Sequence, residues 1–208
     1  MTEQLKEPVL PTGRSFRWGC LRSLREEDAP GMLEWMHDPD VADKFRFDFM
    51  SMDEADALAF IRSSWDDNES IHLAVVGEDD GYLGTVSLKH VDVAQSCAEY
   101  AIAMVARSHG TGVALKATRD ILALAFYSLD LHRVYLNVRA DNGRALAFYN
   151  KAGFVREGAA RSSLRVSSGG FVDLVWLSML VGEFDFGTTL LPAGSLVECD
   201  LGEFKWRG

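Results

Sequence analysis

Residues 99–114 read EYAIAMVARSHGTGVA. Glu99 to Val105 reads as a strand, Arg107 to Gly112 holds two glycines, and Val113, Ala117, Ile121, Leu124 and Leu129 then recur at helical intervals. A strand therefore feeds through a glycine turn straight into a helix. Gly110 and Gly112 let the backbone bend and approach a ligand closely. The unsatisfied N–H groups of the first helical turn, together with the helix dipole, favour an anion such as pyrophosphate. The turn has neither the lysine-bearing signature of a P-loop nor the three-glycine spacing of a dinucleotide fold, so taken alone it is a tight turn or a phosphate cradle.

Working outward, Val134 to Val138 reads as the next strand, Ala145, Phe148, Tyr149 and Ala152 mark a helix, and Phe171 to Leu180 a long closing strand. Upstream, Trp18 to Ser23 forms a first strand. A helix entered through Asp28, with Pro30 in its first turn and Leu33 and Met36 along it, ends at His37 to Asp40. Ser51 and Glu54 have capping-box spacing ahead of Ala55, Leu58, Ile61 and Trp65, which predicts a second helix. Ile71 to Val76 and Gly84 to Val91, joined across Gly77 to Gly81, predict a hairpin. The class is α+β. One domain is expected over 16–184, after a leader at 1–15 and before an extension at 185–208 of unassigned role.

The chain has 208 residues, 48% of them hydrophobic and 25% charged, enough to build a core without disulfides or a structural metal. Its 21 Lys and Arg against 31 Asp and Glu give a net charge of −10, the wrong sign for nucleic-acid phosphates. Cys20, Cys97 and Cys199 form no paired motif, which points to a reducing cytoplasm. No apolar leader or membrane-length run is present, and the histidines show no metal-ligand spacing, so neither a membrane nor a metal is expected.

Residues 142–154 read NGRALAFYNKAGF, after the predicted strand Val134 to Val138. Together with 109–114, this segment resembles the GNAT superfamily of N-acetyltransferases. The fingerprint of that family is Gln/Arg-x-x-Gly-x-Gly/Ala after the fourth strand and Asn-x-x-Ala/Ser-x-x-x-Tyr-x-x-x-Gly-Phe after the fifth. His109 replaces the Gln or Arg, a departure that bears on the side-chain contact and leaves the backbone cradle intact. The resemblance spans about Phe16 to Leu180, including Leu21 to Ala29 and the pair Val172 and Asp173. It is closest in style to the branch that acetylates ribosomal-protein N-termini, polyamines and amino sugars.

The resemblance implies a mixed, mostly antiparallel sheet of about seven strands, splayed between strands four and five, with about four helices. It implies acetyl-CoA as co-substrate and no metal. The pantetheine arm would lie along Ala103, Met104 and Val105, with Met104 or Val105 N–H meeting charge on the thioester oxygen. His109, Gly110, Thr111, Gly112, Val113 and Ala114 would hold the pyrophosphate, and Asn142 and Tyr149 would flank the arm. The implied reaction is direct attack in a ternary complex by a primary amine on a small molecule, a sugar or a peptide. A catalytically inactive acyl-CoA-binding or interaction module is the alternative, and a homodimer is compatible with either.

Within that frame Tyr149 is a hydrogen-bond donor to the departing sulfur or a core aromatic. An ordinary tyrosine near pKa 10 protonating a thiolate near 8.5 is uphill by about 2 kcal/mol. An alkylamine of pKa about 10.4 is neutral in only about one molecule in two thousand at pH 7, so a base or a desolvating pocket is needed. Glu99 is that base or a strand-end carboxylate paired with a surface cation. His90 is the second candidate, and Asn142 is a helix N-cap as well as a cofactor contact. The acceptor side is expected over Asp38 to Met50. There Phe45, Phe47 and Phe49 form a pocket wall or anchor a loop, Asp40, Asp43 and Asp48 suit a cationic amine, and Lys44 and Arg46 suit an anionic group.

Overall fold

The computed structural model describes residues 13–45, 47–166 and 169–185. Nearly all of the expected leader and C-terminal extension lies outside these residues. The elements run β1 (Arg17–Trp18), β2 (Leu21–Ser23), α1 (Ala29–Met36), α2 (Pro39–Ala42), α3 (Glu54–Ser64), β3 (Ile71–Val76), β4 (Tyr82–Asp92), β5 (Cys97–Met104), α4 (Val113–Ala123), β6 (Arg133–Arg139), α5 (Gly143–Ala152), β7 (Val155–Arg165) and β8 (Phe171–Leu180). They form one eight-stranded sheet in the order β1-β2-β3-β4-β5-β6-β8-β7. Every neighbouring pair is antiparallel except β5 and β6, which are parallel.

The sheet separates two apolar layers by the strand period of two. Ile71, Leu73 and Val75 of β3 face a core shared with Ile121 and Leu122 of α4 and with Val134 and Leu136 of β6. Ala74 and Val76 of the same strand face Met32 and Trp35 of α1 and Ala57 and Ile61 of α3. Fully burying side chains of this size stabilises the fold by about 1.5–3 kcal/mol each. Tyr82 and Trp35, both buried, satisfy each other's polar atoms: the indole N–H donates to the Tyr82 hydroxyl at 2.9 Å, and that hydroxyl lies 2.7 Å from Thr85 Oγ1.

Local chemistry departs from expectation at four places. The predicted strand Trp18 to Ser23 is a tight hairpin, because Gly19 takes φ +58 and turns the chain between β1 and β2. Helix α3 is capped by Asp53 and Asp56, each accepting the other's backbone N–H at 3.0–3.1 Å, and not by Ser51 and Glu54. The helix expected through Leu129 is α-helical to Ala123 and finishes as a π turn over Leu124–Ser128. Strand β7 is an addition, the outer strand beside β8, with most of its residues exposed on both faces.

Candidate active site

Strands β5 and β6 pair only where Cys97, Ala98 and Glu99 meet Arg133, Val134 and Tyr135. Beyond Glu99 they diverge, β5 continuing along β4 to Met104 and β6 along β8 to Arg139. The wedge opens into a cavity of about 320 Å³. Ladder polarity decides which backbone groups face it. Val105 N–H donates to Leu83 O at 3.0 Å, so the odd-numbered residues of this stretch point their amides at β4 and the even-numbered ones point theirs into the wedge. Of the two expected amide donors, Met104 N–H therefore faces the cavity, and Val105 is committed to β4 and lies outside the lining.

One end of the cavity is built around the start of α4. Gly110 and Gly112 have φ +79 and +86, and a Cβ on either would meet open space. Gly112 caps α4 without a side-chain hydrogen bond; Val113 N–H reaches Thr111 Oγ1 at 3.4 Å, and the amides after it in the first turn are left to a ligand. Thr111 Oγ donates to Ser108 O at 2.7 Å and so braces the turn itself. Ala103, Met104, His109 and Ala114 line the cavity, whereas Gly110, Thr111, Gly112 and Val113 are outside its lining. Burial, and then the Arg144 charge, lower the pKa of His109, so its ring is neutral at pH 7 and the cation here is Arg144. Asn142 Oδ1 accepts Ala145 N–H at 3.1 Å, capping α5, and the Asn142 side chain also lines the cavity.

Tyr149, on the buried face of α5, meets Tyr100 and Phe154 edge-on at 6.1 and 5.9 Å between ring centroids. Burial alone pushes its phenol up to about 12. None of the described residues hydrogen-bonds its hydroxyl. Neighbouring Tyr100 is fixed instead by Thr118, 2.7 Å away, which in turn donates to Ala114 O.

At the other end, Asp40, Lys44, Phe45 and Phe47 approach from α2 and the loop after it. Phe45 and Phe49 stack on Trp35 at 5.8 and 5.0 Å, so these two anchor the loop, while Phe47, 67% exposed, stands at the rim. Glu99 reaches the cavity with Lys89 Nζ 3.0 Å from its carboxylate. His90 lies outside the lining, exposed at a β-bulge with φ +51. Three cations that motif reading passed over are present: Lys89, Arg144 and Arg139. Arg139, nearly buried, donates to both carboxylate oxygens of Asp141 at 2.7–2.9 Å and to Asp43 O at 2.6 Å, tying the loop after α2 to the end of β6. Its two-residue spacing to Asp141 was the available signal for it.

A splayed parallel pair, a glycine-capped helix at one end of the wedge and an aromatic loop at the other make up the candidate site. The model of the acetyltransferase (GNAT) domain matches residues 20–155, and the chain belongs to that family. It is 32% identical over 107 residues to "Putative ribosomal N-acetyltransferase YdaF" of Bacillus subtilis, covering 51% of this chain and 58% of that protein. It is 30% identical over 92 residues to spermidine N(1)-acetyltransferase of Vibrio cholerae, covering 44% and 53%. The matches thus span about half the length of these curated relatives. The crystal structure of spermidine N-acetyltransferase from Vibrio cholerae in complex with CoA and spermine superposes with a TM-score of 0.72 at 21% identity, covering 79% of this chain and 96% of that one. Among the described residues, no helix is long and apolar enough to cross a membrane.

Proposed function

We propose that this chain is an N-acetyltransferase that moves an acetyl group from acetyl-CoA to a primary amine bound in the same cavity, by direct attack and with no acyl-enzyme. The observation that carries this reading is a pair of uncommitted donors on one cavity, the Met104 amide and the Tyr149 hydroxyl. Acetyl-CoA, when bound, supplies the acyl group as a thioester. The residues present fit it: the free edge of β5 at Ala103 and Met104 can pair with an extended amide-bearing arm, and the open, glycine-capped start of α4 suits a pyrophosphate. His109, Gly110, Thr111, Gly112, Val113 and Ala114 would hold the phosphates, with Arg144 beside them and Asn142 reaching the arm.

In that arrangement Met104 N–H meets the negative charge that develops on the thioester oxygen. Tyr149 donates a hydrogen bond to the departing sulfur. Glu99, tied to Lys89, takes the amine proton through water, and Asp40, Phe45 and Phe47 contact the acceptor. We assign the protein to the cytoplasm from its cysteine usage. An inactive acyl-CoA-binding module would have no use for an unpartnered hydroxyl beside the sulfur, which favours the enzyme. Titration with acetyl-CoA by calorimetry, followed by free-thiol release across amines, tests the reading. Micromolar binding with amine-dependent thiol release is expected. Binding without turnover on any amine would make the chain the binding module, and no binding would refute both.

A further inference from the structure

Lys89 presents a primary amine of the chain's own inside the cavity. It stands on β4 directly opposite Glu99 of β5, with its Nζ 3.0 Å from the carboxylate, and both side chains line the cavity and stay partly exposed to it. Among the described residues this is the one ion pair and the one hydrogen bond that the Lys89 amine makes. An acceptor amine has to bring its nitrogen within hydrogen-bond reach of a base, directly or through one water. Lys89 already holds that position against the proposed base. Lys44, the other lysine of the lining, lies 3.5 Å from Asp43, a carboxylate outside the lining.

The acyl end of a bound thioester would come to the same place. An arm entering at the start of α4 and pairing with the β5 edge at Ala103 and Met104 runs down the wedge towards its closed end, where β5 and β6 last pair at Glu99 and Tyr135. Tyr149, the proposed donor to the sulfur, meets the ring of Tyr100, the residue after Glu99, at 6.1 Å between centroids. Lys89, Glu99, Tyr100 and Tyr149 line one cavity of about 320 Å³. An amine tethered in such a space needs no capture from solution. We propose, resting on the acetyltransferase reading above, that Lys89 is a self-acetylation site, taking the acetyl group in cis when acetyl-CoA is bound and no acceptor has entered. Glu99 removes one proton from the Lys89 ammonium and passes it to water. The freed Nζ attacks the thioester carbonyl carbon, the C–N bond forms, the C–S bond breaks, and the second proton leaves the nitrogen for the departing sulfur. The products are N-acetylated Lys89 and the CoA thiol. The new amide carries no charge, so the ion pair ends and the Glu99 carboxylate stands unpaired before an incoming amine.

The test incubates the full chain with acetyl-CoA and no amine at about pH 8.5, where more of an alkylamine is neutral than at pH 7, and follows it by intact mass and peptide mapping. Of the six lysines, Lys89 should gain its acetyl group at least about tenfold faster than exposed Lys151, with a rate constant that diluting the protein about tenfold leaves unchanged. Glu99→Gln should slow Lys89 at least about tenfold and leave Lys151 unaltered, with acetyl-CoA affinity and the melting temperature reporting that the variant is folded and loaded. A second readout needs no turnover: CoA without its acyl group should shield Lys89, and not Lys151, from acetic anhydride. Lys89 modified no faster than Lys151, a rate constant that falls on dilution, no slowing in Glu99→Gln, or no shielding by CoA would each overturn the proposal. Acetyl-CoA binding with thiol release to added amines would then leave the acetyltransferase reading intact. Absence of acetyl-CoA binding would remove the reading itself, and the proposal with it.

Discussion

Tyr149→Phe removes one oxygen that no described residue hydrogen-bonds, so its effect isolates the chemistry of the hydroxyl. With the phenol pushed up to about 12 by burial, donating its proton outright to a thiolate near 8.5 is uphill by about 5 kcal/mol, more than twice the cost for an ordinary tyrosine. In the proposed reaction a role as proton source is therefore disfavoured, which leaves a hydrogen bond to a charged sulfur. Such a bond is worth about 1.5–3 kcal/mol, which corresponds to a fall in kcat of about 10- to 100-fold. The fold should be indifferent to the change, because the ring contacts with Tyr100 and Phe154 are kept. The assay is steady-state thiol release from about pH 6 to 9.5, together with acetyl-CoA affinity by calorimetry. The expected result is a lowered kcat at every pH, an acetyl-CoA Kd within a few-fold of wild type, and no alkaline limb that the substitution abolishes. Unchanged turnover would remove Tyr149 from the mechanism. A loss beyond about a thousandfold, with an alkaline limb near pH 8–9 that disappears in the variant, would show that it is the proton source after all.

Gly112→Asp places a carboxylate, on a backbone at φ +86, at the mouth of the helix where pyrophosphate is expected, so acetyl-CoA affinity by calorimetry should fall at least about tenfold. Gly19→Ala should lower the melting temperature clearly: a Cβ there would collide with the carboxylate of buried Asp120, which accepts the Cys20 N–H at 2.9 Å, and the positive φ adds strain. His72, edge-on to Phe60 with Nδ1 2.8 Å from Ser87 Oγ, is pushed down to about 4 by burial. Because the unfolded chain takes up that proton near 6.5 and the folded one only near 4, the His72 contribution to stability is complete above about pH 6.5 and is lost as pH falls towards 4. About 2 kcal/mol should disappear between pH 7 and pH 5. Denaturant titrations of His72→Gln should show a correspondingly shallower acid slope, and an identical slope would refute the assignment.

The proposed donor half of the site is local in the sequence. A strand, a glycine turn, a helix start and a tyrosine one helical face later are each written in consecutive residues, and the ladder polarity that chooses Met104 over Val105 is a refinement of that text. Strand β7 was not legible. Its residues, VREGAARSSLR, carry no alternation, and the structure gives the reason: only Ala160 and Leu164 are even half-buried, so neither face selects apolar side chains. The hairpin at Gly19 escaped for the opposite reason, since two strands of two and three residues are too short to show a period.

The proposed acceptor half is written in register, which no single stretch of sequence contains. Lys89 and Glu99 are ten positions apart and become partners only because the β4–β5 ladder sets them directly opposite each other, just before the bulge at His90 takes the chain out of register. Shifting that register by one residue would turn Lys89 to the other face and leave Glu99 as a lone carboxylate, suited to a cationic acceptor. Arg139 acts across a longer span, joining the end of β6 to Asp43, ninety-six residues earlier, so the loop carrying Phe45 and Phe47 is positioned by a strand on the far side of the wedge. Two relatives can therefore share the glycine turn and the tyrosine and still take different amines. Acceptor preference should follow whether a cation faces the carboxylate at the position of Glu99 more closely than it follows overall identity.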